Sequence, residues 1–185
     1  PSDQRFNSVS SPLYLSRDSD YVIPVFKSCF IRPGTSCAGG NLQEVNLSGA
    51  NLDDMDFTGA YMKNTRLKNT SLNGTNFTGA WMRFADFSGA TGVTTQLGAR
   101  SIEKANFSQV RLENPKATGA SFLRSNWKKA YVNNGDFSSS NFYKSNFEDA
   151  TIKNTDMRAT KLRGASWKGA TVSGSNFKGA VGNKP

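Results

Sequence analysis

Along most of the chain a large apolar side chain returns at every fifth position, with polar residues filling the intervals. In the stretch LSGANLDDMDFTGAYMKNT these returns are Leu47, Leu52, Phe57 and Met62. Such a beat matches neither an α-helix, with its period of about 3.6, nor a strand, with its period of about two. From Leu42 to Phe177 the beat falls on 28 positions, and 26 of them are Leu, Phe, Met, Ile, Val or Trp. The exceptions are Gly92 and Ala117. The residue two before each beat is mostly small, as at Ala50, Ala60, Thr70, Ala80, Ala90, Ala105, Ala120, Ala130, Ala150, Ala165 and Ala170. The residue just before it is usually Asn, Asp, Ser or Thr, and Gly is common two after it.

A unit of small, polar, large apolar, polar, polar resembles the repeat of the pentapeptide-repeat family, A-(D/N)-L-x-x, over residues 40–180. The resemblance implies an all-β fold, a right-handed quadrilateral parallel β-helix. Each pentapeptide makes one wall of a square coil, four make a 20-residue turn, and 28 make about seven coils. The predicted organisation is an N-terminal cap over 1–39, the β-helix over 40–180 and a short tail over 181–185. In a square coil the beat residue and the small residue two before it point inward, and the other three face solvent. Two residues in five then suffice for a core, which accounts for a hydrophobic content of only 36%. Trp127 and Trp167 are unusually large beats, each followed one wall later by a smaller Val132 or Val172. They are predicted to fill the core.

The ends and two interior stretches depart from the pattern. Tyr21 to Phe26 is a β-rich run interrupted by Pro24, which predicts an edge strand. Ser28-Cys29-Phe30 reads as one displaced repeat, so that Phe30 starts the coil and RPGTSCAGG bulges out as a loop with Cys29 and Cys37 at its base. A disulfide between them would contribute about 2–3 kcal/mol on the chain-entropy model; two free thiols are the alternative. ATGVTTQLGAR puts Gly92 on a beat and Arg100 on a small position, while NPKAT puts Pro115 on a small position and Ala117 on a beat. An unpaired Arg is not buried in such a site, so a local bulge is expected over 91–100. Two roles suit it: an insertion tolerated by the solenoid, or a recognition loop. After Ala180 only VGNKP remains, too little for a capping helix. Relatives with open C-terminal ends often pair end to end, which implies a homodimer through the coil of Leu162, Trp167, Val172 and Phe177.

Charge adds a direction. The chain has 23 Lys plus Arg, 14 Asp plus Glu and a net charge of +9, which favours anionic partners. It has no His, the commonest general base and metal ligand. Two cysteines without His do not make a zinc site. Together with the absence of a phosphate-binding loop, this predicts a non-enzymatic chain with no cofactor and no metal. No apolar run is long enough to cross a membrane.

Residues 20 apart stack on one wall, which sorts the outward side chains. The wall of Leu42, Met62, Met82, Ile102, Phe122, Phe142 and Leu162 carries Lys63, Arg83, Lys104, Arg124, Lys144, Lys161 and Arg163 against Glu44 and Glu103. It also displays Tyr61, Trp81, Phe84 and Tyr143. The binding candidates are therefore Tyr61, Lys63, Trp81, Arg83, Phe84, Lys104, Arg124, Tyr143, Lys144 and Arg163. Interleaved cations and rings fit anionic or π-bearing partners: acidic proteins, single-stranded nucleic acid or sugars. The expected function is a non-catalytic scaffold for a protein or anionic partner. The family's best-known activity, binding DNA gyrase or topoisomerase as a DNA mimic in resistance or immunity, is the alternative; the positive surface disfavours it. The cysteine pair and the start without Met suit an exported chain.

Overall fold

In a computed structural model, residues 29–185 form a parallel β-solenoid without helix. The strand expected over Tyr21–Phe26 lies outside the described residues, as does most of the cap. The coil repeats every 20 residues. One ladder runs through Ser36, Asp56, Asn76, Gln96, Lys116, Asp136, Asp156 and Asn176, seven steps with no change of register. On most walls each contact is a single bridge. On the wall of Gly92, Leu112, Val132, Ile152 and Val172 the strands lengthen to β1 (Thr91–Val93), β2 (Arg111–Glu113), β3 (Tyr131–Asn133), β4 (Thr151–Lys153) and β6 (Thr171–Ser173), a five-stranded parallel sheet.

Corner chemistry explains why five residues make one wall. The N–H of Ala50 donates to the carbonyl of Leu47 at 3.0 Å, and Gly49, between them, sits at φ +73°. This is a tight turn whose third residue needs positive φ, the condition that favours glycine. The polar residue before each beat braces the same corner. Asn46 Oδ1 accepts the N–H of Ser48, and Asp136 Oδ1 that of Ser138. Some of these side chains also bond from coil to coil, as Asn106, Asn126 and Asp86 do.

Inside, beats stack on beats. Phe87, Phe107, Trp127, Phe147 and Trp167 form one column, with ring centroids 4.7, 4.3, 6.1 and 4.2 Å apart. Trp127 is fully buried as core filling, and its Nε1–H is satisfied by Ser125 Oγ at 2.8 Å. Where the small position is Thr or Ser, its hydroxyl donates to a carbonyl: Thr65 to Leu42, Thr75 to Leu52, Ser145 to Phe122. No buried side-chain polar atom among the described residues lacks a partner.

Three local expectations are corrected. First, the coil begins before residue 40. RPGTSCAGG does not bulge out: Gly34, Cys37 and Gly39 donate to the carbonyls of Asp53, Asp56 and Thr58, and Cys37 is a buried beat. Cys is small and apolar enough to serve as one, and Gly40 takes the small place behind it. Cys29 and Cys37 are joined in a disulfide, with Cα atoms 5.2 Å apart. Second, Phe30 does not start the coil inward: it is 53% exposed, and Ile31 takes the buried place.

Third, residues 91–97 stay in register, with Thr91, Gly92 and Val93 opposite Arg111, Leu112 and Glu113. Thr95 Oγ1, bonded to the Leu72 carbonyl, occupies the space that a Gly92 side chain would need. The irregularity shrinks to 98–101. There Ala99 supplies the buried small side chain in place of residue 100, and Arg100 turns outward. At the second break, Pro115 and Ala117 are both buried and the ladder continues. The neighbouring coil adjusts: a Cβ on Gly135 would lie 3.2 Å from the Pro115 ring and 2.9 Å from that of Phe137. The tail is also structured, since β7 (Val181–Gly182) pairs in parallel with β5 (Lys161–Leu162).

Candidate functional site

The backbone of the first wall is a fixed rack. The N–H groups of Asn64, Phe84, Lys104, Arg124 and Lys144 donate to the carbonyls of Arg83, Glu103, Leu123, Tyr143 and Arg163 one coil on, at 2.8–3.1 Å. Outward side chains in one column are therefore spaced at the coil repeat, about 4.8 Å. Among the candidates, Lys63, Arg83, Lys104, Arg124, Lys144 and Arg163 are exposed. Tyr61, Trp81 and Phe84 are 37%, 40% and 41% exposed; Tyr143 is half-buried beside Leu123.

These side chains form two overlapping groups. Tyr61 and Trp81 are bridge partners in adjacent coils, with Phe84 beside Trp81 along the chain. Arg83 and Lys104 lie over the Phe84 ring at 5.5 and 5.2 Å. Further along, Lys104, Arg124 and Lys144 succeed one another in a single column, and Lys144 lies 5.3 Å from the Tyr143 ring. Lys63 stands ahead of these groups and Arg163 continues past them. The sequence pattern missed Arg100. The irregularity at 98–101 brings it onto the same wall, 5.6 Å over the Trp81 ring. An Arg on a position that must be small was the signal.

The corner residues of this wall are unusual. Phe84, Lys104, Arg124 and Lys144 have φ of 60°, 56°, 56° and 55°. On the other walls the equivalent corners are mostly Gly, Asn or Asp, which adopt that conformation at little cost. A bulky or long side chain there carries a strain of about 1 kcal/mol or more. Four in succession keep it on one wall.

Charge pairing also differs from wall to wall. Lys68 pairs with Asp86 at 3.3 Å and Lys128 with Glu148 at 3.2 Å on the second wall, Arg111 with Glu113 at 3.9 Å on the third, and Arg158 with Asp156 at 2.6 Å on the fourth. On the first wall only Arg83 has an ion-pair partner among the described residues, Glu103 at 3.5 Å. Carboxylates elsewhere are held ionised. The Thr58 hydroxyl and N–H lower the pKa of Asp56 against some desolvation, and Arg158 lowers that of Asp156. For Asp86 and Asp136 burial pushes upward, but the Ser88 and Ser138 hydrogen bonds, with Lys68 and Thr118, prevail and lower both.

No group of three or more His, Cys, Asp or Glu side chains placed to hold a metal occurs among the described residues. An open hollow of about 350 Å³, lined by Val172, Phe177 and Pro185 among others, lies at the C-terminal end, away from the first wall. No helix of the described residues is long and apolar enough to cross a membrane.

Known proteins place this architecture. The chain matches the model of pentapeptide repeats over residues 41–79, 56–91, 105–142 and 128–158, together more than half of its length. The unmatched stretch between 91 and 105 holds the irregular corner. No curated protein matches. Among solved structures it is similar to HetL, a pentapeptide repeat protein involved in heterocyst differentiation regulation in Nostoc sp. strain PCC 7120. Identity is 20%, coverage 82% of this chain and 86% of that one, and the TM-score 0.32. It is also similar to QnrB1, a plasmid-mediated fluoroquinolone resistance protein, at 13% identity, 82% and 85% coverage and a TM-score of 0.47. A third is Rfr23 from Cyanothece 51142, at 20% identity, 80% and 91% coverage and a TM-score of 0.30. With a five-residue beat, a square coil and a matching family model across most of its repeats, the chain belongs to the pentapeptide repeat family.

Proposed function

We propose that the chain is a non-catalytic interaction scaffold whose first wall docks an anionic partner, an acidic protein surface or an anionic ligand. One observation carries this reading. Among the described residues the wall with the most cations pairs only Arg83 with a carboxylate, and it holds Lys104, Arg124 and Lys144 at corners where glycine would be less strained. Structural economy alone favours Gly or Asn at such corners, so the long side chains earn their place through what they touch. Partner contact through charge and cation–π chemistry supplies that return. The topoisomerase alternative needs an acidic surface resembling DNA, and the first wall has the opposite sign.

Calorimetric titration with polyglutamate and with a sulfated polysaccharide tests the proposal. The expected result is binding that weakens with salt and is lost when Lys104, Arg124 and Lys144 are all changed to Glu. Undiminished binding by that triple variant would overturn it.

The assembly that goes with this reading is a homodimer through the C-terminal coil. Trp167, Val172 and Phe177 are only half-buried there, and Val181 is 59% exposed. An uncovered apolar end of a parallel solenoid invites a second copy. Light scattering should give twice the chain mass, falling to one chain mass for Phe177→Glu.

A further inference from the structure

The first wall offers a partner mainly side chains, because most of its backbone is already used. The N–H groups of Met62, Asn64, Met82 and Phe84 are committed to the next coil and those of Tyr61 and Trp81 to the preceding one, so a peptide finds no continuous strand edge on this wall. An acidic peptide docking here would gain charge contacts and little else. The rings need a partner with planar, polarisable groups, and the cations need one with a negative charge in every unit. Single-stranded nucleic acid carries both in each nucleotide. The layout suits a strand lying along the solenoid axis. Tyr61, Trp81 and Phe84 lie in two adjacent coils, and the Lys104–Arg124–Lys144 column is followed by Arg163 in the neighbouring column, four coils beyond the Phe84 level. Arg100, seated over Trp81, adds a planar cation next to a ring. From the Tyr61 level to the Arg163 level the wall spans five coil steps, about 24 Å.

We infer that the first wall binds single-stranded nucleic acid without strict sequence preference: Tyr61, Trp81 and Phe84 stack on bases, and Lys104, Arg124, Lys144 and Arg163 follow the phosphates. This inference rests on the proposal that the wall docks an anionic partner, and it narrows that partner to one class. Base stacking requires unpaired bases, so a duplex would satisfy only the cations. Flat rings without a surrounding pocket read the π-face common to all bases, which explains the absence of sequence preference.

Fluorescence anisotropy with a labelled single-stranded 12-mer, the matching duplex and polyglutamate tests the inference on the full chain. The expected order places the single strand tightest. Its affinity should fall with salt at a logarithmic slope of about −0.7 per phosphate contacted, near −3 for four contacts. Trp81→Ala should weaken the single strand about 5- to 100-fold and leave the duplex unchanged; Phe84→Ala serves as a second stacking variant. Both positions are exposed, and a thermal melt establishes that each variant is folded. Equal affinity for all three probes, with neither variant having an effect, would overturn the inference while leaving the anionic-partner proposal standing. Failure to bind any of the three would overturn both.

Discussion

At a corner of the coil, the sign of φ decides what a side chain costs. Arg124 sits at φ +56°, and among the described residues its side chain has no ion pair or hydrogen bond to offset the strain. Arg124→Gly should therefore leave stability within about 1 kcal/mol of the parent, or raise it, while weakening anionic binding. A thermal melt paired with a binding titration checks both halves. Buried beats behave oppositely. Trp127→Ala should cost about 3–5 kcal/mol, since it empties the middle of a five-ring column and leaves the Ser125 hydroxyl without its indole donor; chemical denaturation measures this. The carboxylates set the pH response. Asp56, Asp86, Asp136 and Asp156 have pKa values lowered in the fold, so their contribution is fully present above the unfolded value of about 3.9 and is lost as pH falls through the folded values. With no His to titrate, the melting temperature should be flat from about pH 5 to 8 and fall below about pH 4. A melting series across pH tests this. The sequence showed which residues face outward along most of the coil, because the five-residue register has no net insertion. It did not show Arg100, whose direction depends on Ala99 moving into the small place one residue early.

At the scale of the single coil, the two ends are held by different means. The first of the described coils is closed by the Cys29–Cys37 disulfide, with Cys37 as one of its beats. Reduction should lower stability by about 2–3 kcal/mol. Hydrogen exchange should localise the loss to the amides of Gly34, Cys37 and Gly39, with coils beyond Phe77 little affected, since each coil contacts only its neighbours. The last coil is latched by the tail. Trp167 Nε1–H donates to the Asn183 carbonyl at 2.8 Å, and the Gly164 N–H donates to Asn183 Oδ1 at 2.9 Å. Gly182 makes this approach possible, as a Cβ there would lie 2.4 Å from the Arg163 nitrogen. Gly182→Ala should therefore release the latch and speed exchange of the Gly164 amide and the Trp167 indole. Neither end was fully legible in the sequence. Cys37 falls on the beat, but Cys is not among the large apolar residues that define it, and two paired cysteines suggested a protruding loop. The tail is too short to carry a period, so its strand depends on contacts 20 residues away.

Over the whole molecule, the wall is the unit that matters. A strict 20-residue turn converts scattered Lys and Arg residues into a column on one side, and that conversion was legible as soon as the period was known. Pairing was not legible: which cations find a carboxylate depends on rotamers, and each of the four walls holds at least one cation in an ion pair, on the first wall Arg83 alone among the described residues. If the position of charge on the first wall sets binding, net charge alone must not. The direct measurement compares two triple variants of equal net charge by titration with the same polyanion. One carries Lys104→Glu, Arg124→Glu and Lys144→Glu on the first wall; the other carries Arg66→Glu, Lys129→Glu and Lys168→Glu on the second, where all three residues are likewise exposed. The first variant should lose binding, while the second keeps affinity within about tenfold of the parent, the loss from long-range charge being screened at physiological salt. Equal loss in both would show that overall charge, not the wall, holds the partner, and would contradict the account.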